Sequence, residues 1–293
     1  MAWDFDCINW LVPNESTVRF SAEQSGGFLR SLTLQTAHAL KFAGIEAVHD
    51  LRVAIRRFRQ VAKILKPWLP REESRLLRRE LKELMGKAGS VRDRDIALHL
   101  LRTIEVPKNR RILSELHAAR AASAHALHEC LHDFQLRDTS AAWRRALKLV
   151  KQADAPAASD TARDILPPML KKHLRQGRHA AHEDTPEKEL HRFRIATKEI
   201  RYTLDLFTPL YGTRIDEITE NLKKLQNHLG SIHDCAVTKR LVDEAQSSAG
   251  RKEILREIEK RRTRKMERFL HDYRANFGDE AVLRRWKKAL RHP

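Results

Sequence analysis

Two runs of cationic residues with the same spacing are the part of this sequence that could do chemistry. Residues 48–59 read VHDLRVAIRRFR and residues 190–201 read LHRFRIATKEIR, so that His, Arg, a further cation and Arg recur at intervals of three, four and three. An α-helix turns by about 100° per residue, and these intervals therefore bring the cations onto one face and the apolar residues onto the other. A row of arginine and lysine charges suits a ligand with repeated negative charge, as in a phosphate chain.

The two rows supply most of the candidate binding residues. The first row consists of His49, Arg52, Arg56, Arg59 and Lys63, and the second row consists of His191, Arg194, Lys198 and Arg201. A solvated helix face usually mixes charge signs, because like charges four residues apart repel each other. The first row contains no acid, whereas Asp205 closes the second row at the position that matches Lys63. We therefore expect both rows to bind anions, with the histidines protonated beside the ligand.

A second pair of matching segments adds four candidates. Residues 81–93 (LKELMGKAGSVRD) align with residues 222–234 (LKKLQNHLGSIHD) at an offset of 141. The added binding residues are Lys82, Arg92, Lys223 and His233. The Gly-Ser pair in each segment predicts a helix break and a new helix start, which would place Arg92 and His233 at a helix N-terminus that attracts phosphate. The Asp that ends each segment is either an N-cap or a functional group.

The chain is predicted to be an internal duplication of a helical unit. The two matches above, and a third between residues 131–134 and 270–273, follow the same order at nearly constant offset. Each copy is expected to contain four or five helices, with residues 20–150 as the first bundle, 151–162 as the linker and 163–293 as the second bundle. The predicted helices lie near 22–43, 46–66, 71–88, 91–104 and 108–136 in the first copy, and near 163–182, 186–208, 213–229, 232–247 and 250–276 in the second copy, before a short terminal helix in 279–293.

The composition favours helices and a basic surface. Only 10 of the 293 residues are Gly and 10 are Pro, whereas a sandwich or a barrel would require more turn residues and more strand-forming runs. Helix-forming residues dominate instead. The 57 Lys and Arg residues exceed the 39 Asp and Glu residues, which gives a net charge of +18. Such a surface attracts nucleic acid, an anionic membrane or a phosphate chain, and the charge alone does not choose among them.

The cysteines and the apolar segments indicate a cytoplasmic protein. Cys7, Cys130 and Cys235 are far apart and form no C-x-x-C pair, which argues against a disulfide framework and a cysteine zinc site. The first 13 residues place acidic groups before a very short apolar run, unlike a signal peptide. No stretch approaches the roughly 18 apolar residues that a membrane span requires.

The two rows and the two glycine segments resemble the halves of a CHAD domain (conserved histidine α-helical domain). The resemblance runs from about residue 20 to residue 290 and includes the pattern His-x-x-Arg-x-x-x-Arg/Lys-x-x-Arg twice. It implies two four-helix bundles related by pseudo-twofold symmetry, with a basic groove that binds inorganic polyphosphate, and association with polyphosphate granules. It also implies a stand-alone member of the family, since the sequence contains no motif of the fused triphosphate tunnel domain. The resemblance assigns ten residues to the ligand, namely His49, Arg52, Arg56, Arg59, Lys82, His191, Arg194, Lys198, Arg201 and Lys223.

Three alternatives to a polyphosphate-binding protein remain. Nucleic acid repeats the same anion, although base stacking would require exposed aromatic residues that the rows lack. A metal-dependent phosphohydrolase is disfavoured because the rows lack acids for Mg²⁺, and we interpret His125, His128 and His132 as surface or packing residues despite their near-ligand spacing. A membrane-surface role for the basic segment 251–268 is less favoured than a solvated helix. We predict a binding protein that is not an enzyme and that uses neither metal nor cofactor.

Overall fold

In a computed structural model, the described part of the chain comprises residues 15–104, 110–137, 139–277 and 279–291, and its regular structure is helical. The predicted all-α class is therefore confirmed, whereas Cys7 and the segment tested for a signal peptide lie outside the described residues. The helices are α1 (Thr17–Lys41), α2 (Ile45–Ile64), α3 (Arg71–Arg102), α4 (Arg110–Leu136), α5 (Thr139–Val150), α6 (Ala158–Ala180), α7 (Glu187–Tyr211), α8 (Asp216–Glu244), α9 (Arg251–Phe277) and α10 (Glu280–Ala289), with a 3₁₀ turn (Gly212–Ile215) before α8.

The packing of the helices follows the sequence duplication. In the first copy α2 packs on α1 and α3, and α3 packs on α4; in the second copy α7 packs on α6 and α8, and α8 packs on α9. Between the copies, corresponding helices meet each other, since α1 contacts α6, α2 contacts α7 and α3 contacts α8. Contacts between equivalent elements are what a twofold relation produces. The helices that carry the two rows and the glycine segments, α2, α3, α7 and α8, therefore lie next to one another.

The two copies share their apolar core. Phe20 on α1 stacks on Phe207 on α7, with ring centroids 5.8 Å apart, inside a buried cluster that includes residues from both copies. A second cluster joins the end of α3 and the start of α4 to the end of α8 and the start of α9, for example through Leu101 and Val242. The division into bundles 20–150 and 163–293 stays a prediction. Residues 158–162 of the predicted linker form the first turn of α6.

The predicted helix breaks at the two Gly-Ser pairs are wrong. Helix α3 continues through Gly89 to Arg102, and α8 continues through Gly230 to Glu244. A glycine within a helix costs only about 1 kcal/mol relative to alanine, which long helices packed on several neighbours can offset. Gly89 has a different role, because a Cβ atom there would lie 2.8 Å from Nη1 of Arg52. The glycine makes room for an arginine of the first row.

Helix α5 is a helix that the sequence analysis missed. It carries the segment WRRAL at 143–147, which matches WKKAL at 286–290 on α10 with an offset of 143. Trp143 and Trp286 are both buried and anchor these short helices to the core. This fourth match extends the duplication to the last helix of each copy.

Candidate functional site

Helices α2 and α7 orient their rows by burying the opposite face. On α2, Leu51, Ile55 and Phe58 are fully buried, and on α7 the same is true of Phe193 and Ile200. The hydrophobic effect therefore fixes the rotation of both helices and turns the rows away from the core. Because α2 contacts α7 and α3 contacts α8, the cations of the two copies approach each other.

Six of the predicted binding residues form what we call the central cluster. They are Arg52 and Arg56 on α2, Arg92 on α3, Arg194 and Lys198 on α7, and His233 on α8. Burial lowers the pKa of Arg52 to about 10, and the charges of Arg56, Arg92 and Arg194 add to this effect. Burial also lowers the pKa of Arg194, with Arg56 as the strongest neighbouring charge. Arginines of the two copies thus act on each other directly.

Arg52 is held in the central cluster by its surroundings in the first copy. Its Nη1 donates a hydrogen bond of 3.4 Å to the backbone oxygen of Met85 on α3 and lies over Gly89. The guanidinium group is therefore positioned by the packing of α2 on α3, before any ligand binds.

Lys198 shows that the central cluster holds more cationic groups than it can keep charged. Burial, followed by the charges of Arg194, Arg56 and Arg52, lowers the pKa of Lys198 to about 6. A lysine with this pKa is mostly neutral at pH 7. An anion among these groups would remove the repulsion and restore the charge. Perturbed pKa values of this kind are typical of binding and catalytic sites.

The surroundings of the site histidines favour their neutral forms in the unliganded protein. Burial lowers the pKa of His233 to about 3, followed by the charges of Arg194 and His191. The ring centroid of His191 lies 5.3 Å from that of His233. His191 is largely exposed, and the partial burial of its ring, followed by the charge of Arg194, lowers its pKa. His49 is also largely exposed, and the partial burial of its ring, followed by the charge of Arg92, lowers its pKa. The protonated histidines expected from the sequence therefore require a bound anion.

Two carboxylates accompany the central cluster, and neither is an N-cap. Asp93 lies within α3 and Asp234 within α8, since the predicted helix starts do not exist. For the same reason Arg92 and His233 do not lie at a helix N-terminus. Their place in the site comes from the contact between α3 and α8.

Arg201, at the end of the second row, is bound within the protein. Its Nε donates to Oε1 of Gln226 at 2.9 Å, and its Nη1 donates to Oδ2 of Asp205 at 3.2 Å. The guanidinium group also lies 4.3 Å from the ring centroid of Tyr202. Asp205 also interacts electrostatically with Arg57 of the first copy. The second row therefore ends in a carboxylate that lies where α2 packs on α7.

The remaining predicted residues lie on the exposed surface. Arg59 and Lys82 are exposed, Lys63 pairs with Glu199 of α7 at 3.3 Å, and Lys223 lies 3.8 Å from Glu220. Exposed ion pairs of this kind contribute little to stability. The structure does not bring these four cations into the central cluster.

Two cations near the site were missed from the sequence. Lys265 on α9 is the charge that acts most strongly on Asp234, and Arg240 on α8 lies 4.0 Å from Asp93. Arg240 follows His233 by seven residues, which is two helical turns, so its position on the same face was detectable. Lys265 corresponds to no cation in the first copy, and the duplication therefore gave no signal for it.

The fold and the site together define an all-helical protein whose two related halves build one shared cationic cluster. The family profile described as the CHAD domain matches residues 28–243, and the chain therefore belongs to the CHAD domain family, as the sequence predicted. The crystal structure of the CHAD domain from the plant Ricinus communis matches with a TM-score of 0.70 and 23% sequence identity, covering 96% of this chain and 93% of that chain. This structural match supports the all-helical fold of the chain.

Further comparisons are more distant. The structure of PptA from Streptomyces chartreusis matches with a TM-score of 0.49 and 15% identity over 93% of this chain and 100% of that chain. Among curated protein sequences, no significant match was found.

Two properties of the described residues concern the membrane and metal alternatives. No helix in the described ranges is long and apolar enough to cross a membrane. Within the same ranges, no group of three or more His, Cys, Asp or Glu side chains is arranged to hold a metal ion. His125 instead lies 3.4 Å from Glu129 on the exposed side of α4.

Proposed function

We propose that this protein binds inorganic polyphosphate on the central cluster, without hydrolysing it. The observation that carries the proposal is the meeting of cations from both copies, seen in the effects of Arg52, Arg56 and Arg194 on Lys198. Four helices contribute, so the positive charge spans a surface rather than a single point. A linear chain of phosphates can contact several of these groups at once, which a single phosphate cannot.

The chemistry of the cluster suits phosphoryl oxygens. Arginine presents a planar fork of donors, and the histidines gain a proton and a second donor once an anion is near. A bound polyanion also removes the repulsion that lowers the pKa of Arg52 and Lys198. Part of the binding free energy therefore comes from relief of repulsion in the unliganded site.

Nucleic acid is the competing polyanion. Single-strand binding uses aromatic side chains on which bases stack. On the two row helices, Phe58, Phe193 and Phe207 are buried, and Tyr202 is buried beneath Arg201. The cluster therefore offers charge but no stacking surface, which favours polyphosphate. To test this preference, long polyphosphate is added at equal phosphate concentration to the protein bound to labelled RNA. If the RNA stays bound, the preference for polyphosphate is refuted.

The central test compares charge reversals inside and outside the cluster. We expect Arg52→Glu/Arg194→Glu to weaken binding of a long polyphosphate on the order of 100-fold at moderate salt, because two phosphate contacts become repulsive. The matched control is Arg144→Glu/Lys171→Glu, which makes the same change in net charge on exposed residues of α5 and α6. Equal losses in both variants would show a nonspecific charge effect and would sink the proposal.

The non-catalytic and cellular parts of the proposal have their own tests. Incubation of polyphosphate with the protein and Mg²⁺ or Mn²⁺ is expected to release no orthophosphate, and release that disappears in Asp93→Asn would support an enzyme instead.

A protein that binds the polymer is also expected to co-localise with polyphosphate granules, and Arg52→Glu/Arg194→Glu is expected to lose this association.

A further inference from the structure

Two carboxylates stand at equivalent positions in a site that is otherwise cationic. Asp93 directly follows Arg92 on α3, and Asp234 directly follows His233 on α8. Both lie mid-helix, where no capping role explains them, and the two helices pack against each other. The duplication has thus placed a negative charge twice at the contact between the copies.

Asp93 faces cations of the opposite copy as well as its own. Its Oδ2 lies 4.0 Å from Nη2 of Arg240 on α8. Its charge also acts on Arg52 of α2 and on Arg194 of α7, where it opposes the mutual repulsion of the arginines. This carboxylate therefore stabilises cations from three helices.

Asp234 on α8 also lies among charges of both copies, because α8 packs on α3. Burial raises the pKa of Asp234, and the charges of Lys265, Arg194 and Arg92, in order of strength, oppose this rise and favour the ionised form. Arg92 belongs to the first copy and the other two belong to the second. Each carboxylate thus interacts with charges of both copies, and each would lie close to a phosphate chain bound on the central cluster.

We propose that Asp93 and Asp234 are built-in counter-anions of the central cluster, which hold its cations together in the unliganded protein and limit its affinity for polyphosphate. The statement about affinity rests on the proposed function. A phosphate chain takes over the neutralisation of the cations, but it does so beside two carboxylates that repel it. The affinity is therefore lower than the cations alone would give.

The first experiment measures affinity with the charge of each carboxylate removed. Asp93→Asn and Asp234→Asn preserve side-chain shape, and binding of a long polyphosphate is measured at fixed salt without divalent cations. We expect each variant to bind about tenfold more tightly than the wild type, since one repulsive charge close to the ligand is lost. The control is Asp164→Asn on α6, an exposed residue on a helix without cluster residues, which is expected to leave affinity within about twofold because distant charges are screened.

Unchanged or weaker binding by both cluster variants would overturn the proposal. Weaker binding that appears only with Mg²⁺ present would show that the carboxylates hold the ligand through a divalent cation instead. Circular dichroism of each variant verifies that the helices are retained, so that a loss of binding is not mistaken for unfolding.

A second experiment tests the carboxylates without polyphosphate. Thermal unfolding is followed while sodium sulfate is added, with sodium chloride at matched ionic strength as reference. Without sulfate, we expect Asp93→Asn and Asp234→Asn to unfold at a lower temperature than the wild type. On addition of sulfate, we expect their unfolding temperatures to rise more than those of the wild type and Asp164→Asn. An equal gain in all four proteins would refute the counter-anion role. If the wild type does not bind polyphosphate, the proposed function fails, and this titration still decides the role of the carboxylates.

Discussion

The ammonium group of Lys198 is half-buried among three arginines, and this environment accounts for its low pKa. Burial removes water from the charge, and Arg194, Arg56 and Arg52 repel it. The residue type is common on helix surfaces, so its unusual state comes from its neighbours. At the residue scale, the site therefore depends on how closely like charges have been brought together.

The titration of Lys198 predicts a pH dependence of stability. Its pKa falls from an ordinary value of 10.5 in the unfolded chain to about 6 in the folded protein. Between these values the unfolded chain binds more protons, so this residue makes the protein more stable as the pH rises from 6 to 10, and its destabilising effect is complete below pH 6. We expect Lys198→Met to show a smaller gain in unfolding free energy between pH 6 and pH 9 than the wild type, in urea titrations at both pH values.

A control separates this effect from other titrating groups. With saturating polyphosphate, we expect the wild type and Lys198→Met to show the same change in unfolding free energy between pH 6 and pH 9. The reason is that a bound anion keeps Lys198 charged in the folded state. Parallel pH profiles for wild type and Lys198→Met without ligand would contradict the prediction.

At the scale of helices, α3 and α8 differ at their matched glycines. Gly89 lies under the guanidinium group of Arg52, whereas no atom lies within 4 Å of a Cβ built at Gly230. Glycine is needed at the first position for a close approach, and the structure gives no reason for it at the second. The two copies of the motif therefore serve the site in different ways.

This difference predicts that the same substitution changes affinity at one glycine and not at the other. We expect Gly89→Ala to weaken polyphosphate binding several-fold, because Cβ would displace the flexible end of Arg52, without lowering stability. Gly230→Ala is the matched control, and it is expected to raise the unfolding free energy by up to about 1 kcal/mol and leave affinity unchanged. Equal affinities in the two variants would show that Arg52 does not need its present position.

At the scale of the molecule, the two copies are joined through their interiors. The backbone at the start of α1 pairs with that before α6, through hydrogen bonds from Thr17 to Pro156 and from Ala158 to Glu15, both 2.7 Å long. Nε2 of Gln60 on α2 donates to Oγ1 of Thr203 on α7 at 2.7 Å in a buried position. Together with the shared apolar core, these contacts make the stability of each copy depend on the other copy.

The buried contact between α2 and α7 predicts cooperative unfolding. Thr203→Val leaves the Gln60 amide without its acceptor, and we expect a loss of about 1–3 kcal/mol in unfolding free energy. Calorimetry is expected to show one transition in both the wild type and this variant, since the copies share one core. Two separated transitions would instead indicate independent bundles.

The sequence by itself determined the class of fold, the duplication and most of the central cluster. Helical periodicity and composition are local properties, and each of α2 and α7 could be oriented from its own apolar face. For that reason Arg52, Arg56, Arg194 and Lys198 were found as members of two rows. The duplication also identified Arg92 and His233, although the predicted reason, a helix N-terminus, was wrong. Helix α5 was missed because its match to α10 is short.

Only the tertiary structure decided which charges meet. Contacts between α2 and α7 and between α3 and α8 bring together residues far apart in the sequence, such as Gln60 and Thr203, which are 143 positions apart, and no local pattern encodes such pairings. They place Asp93 and Asp234 beside the arginines, and the packing of α9 on α8 adds Lys265. The ion pair between Arg201 and Asp205 is local by contrast, since the two residues are four positions apart on α7. Burial and repulsion in the contact between the copies then set the pKa of Lys198 and His233, because these effects depend on desolvation and on neighbours in space.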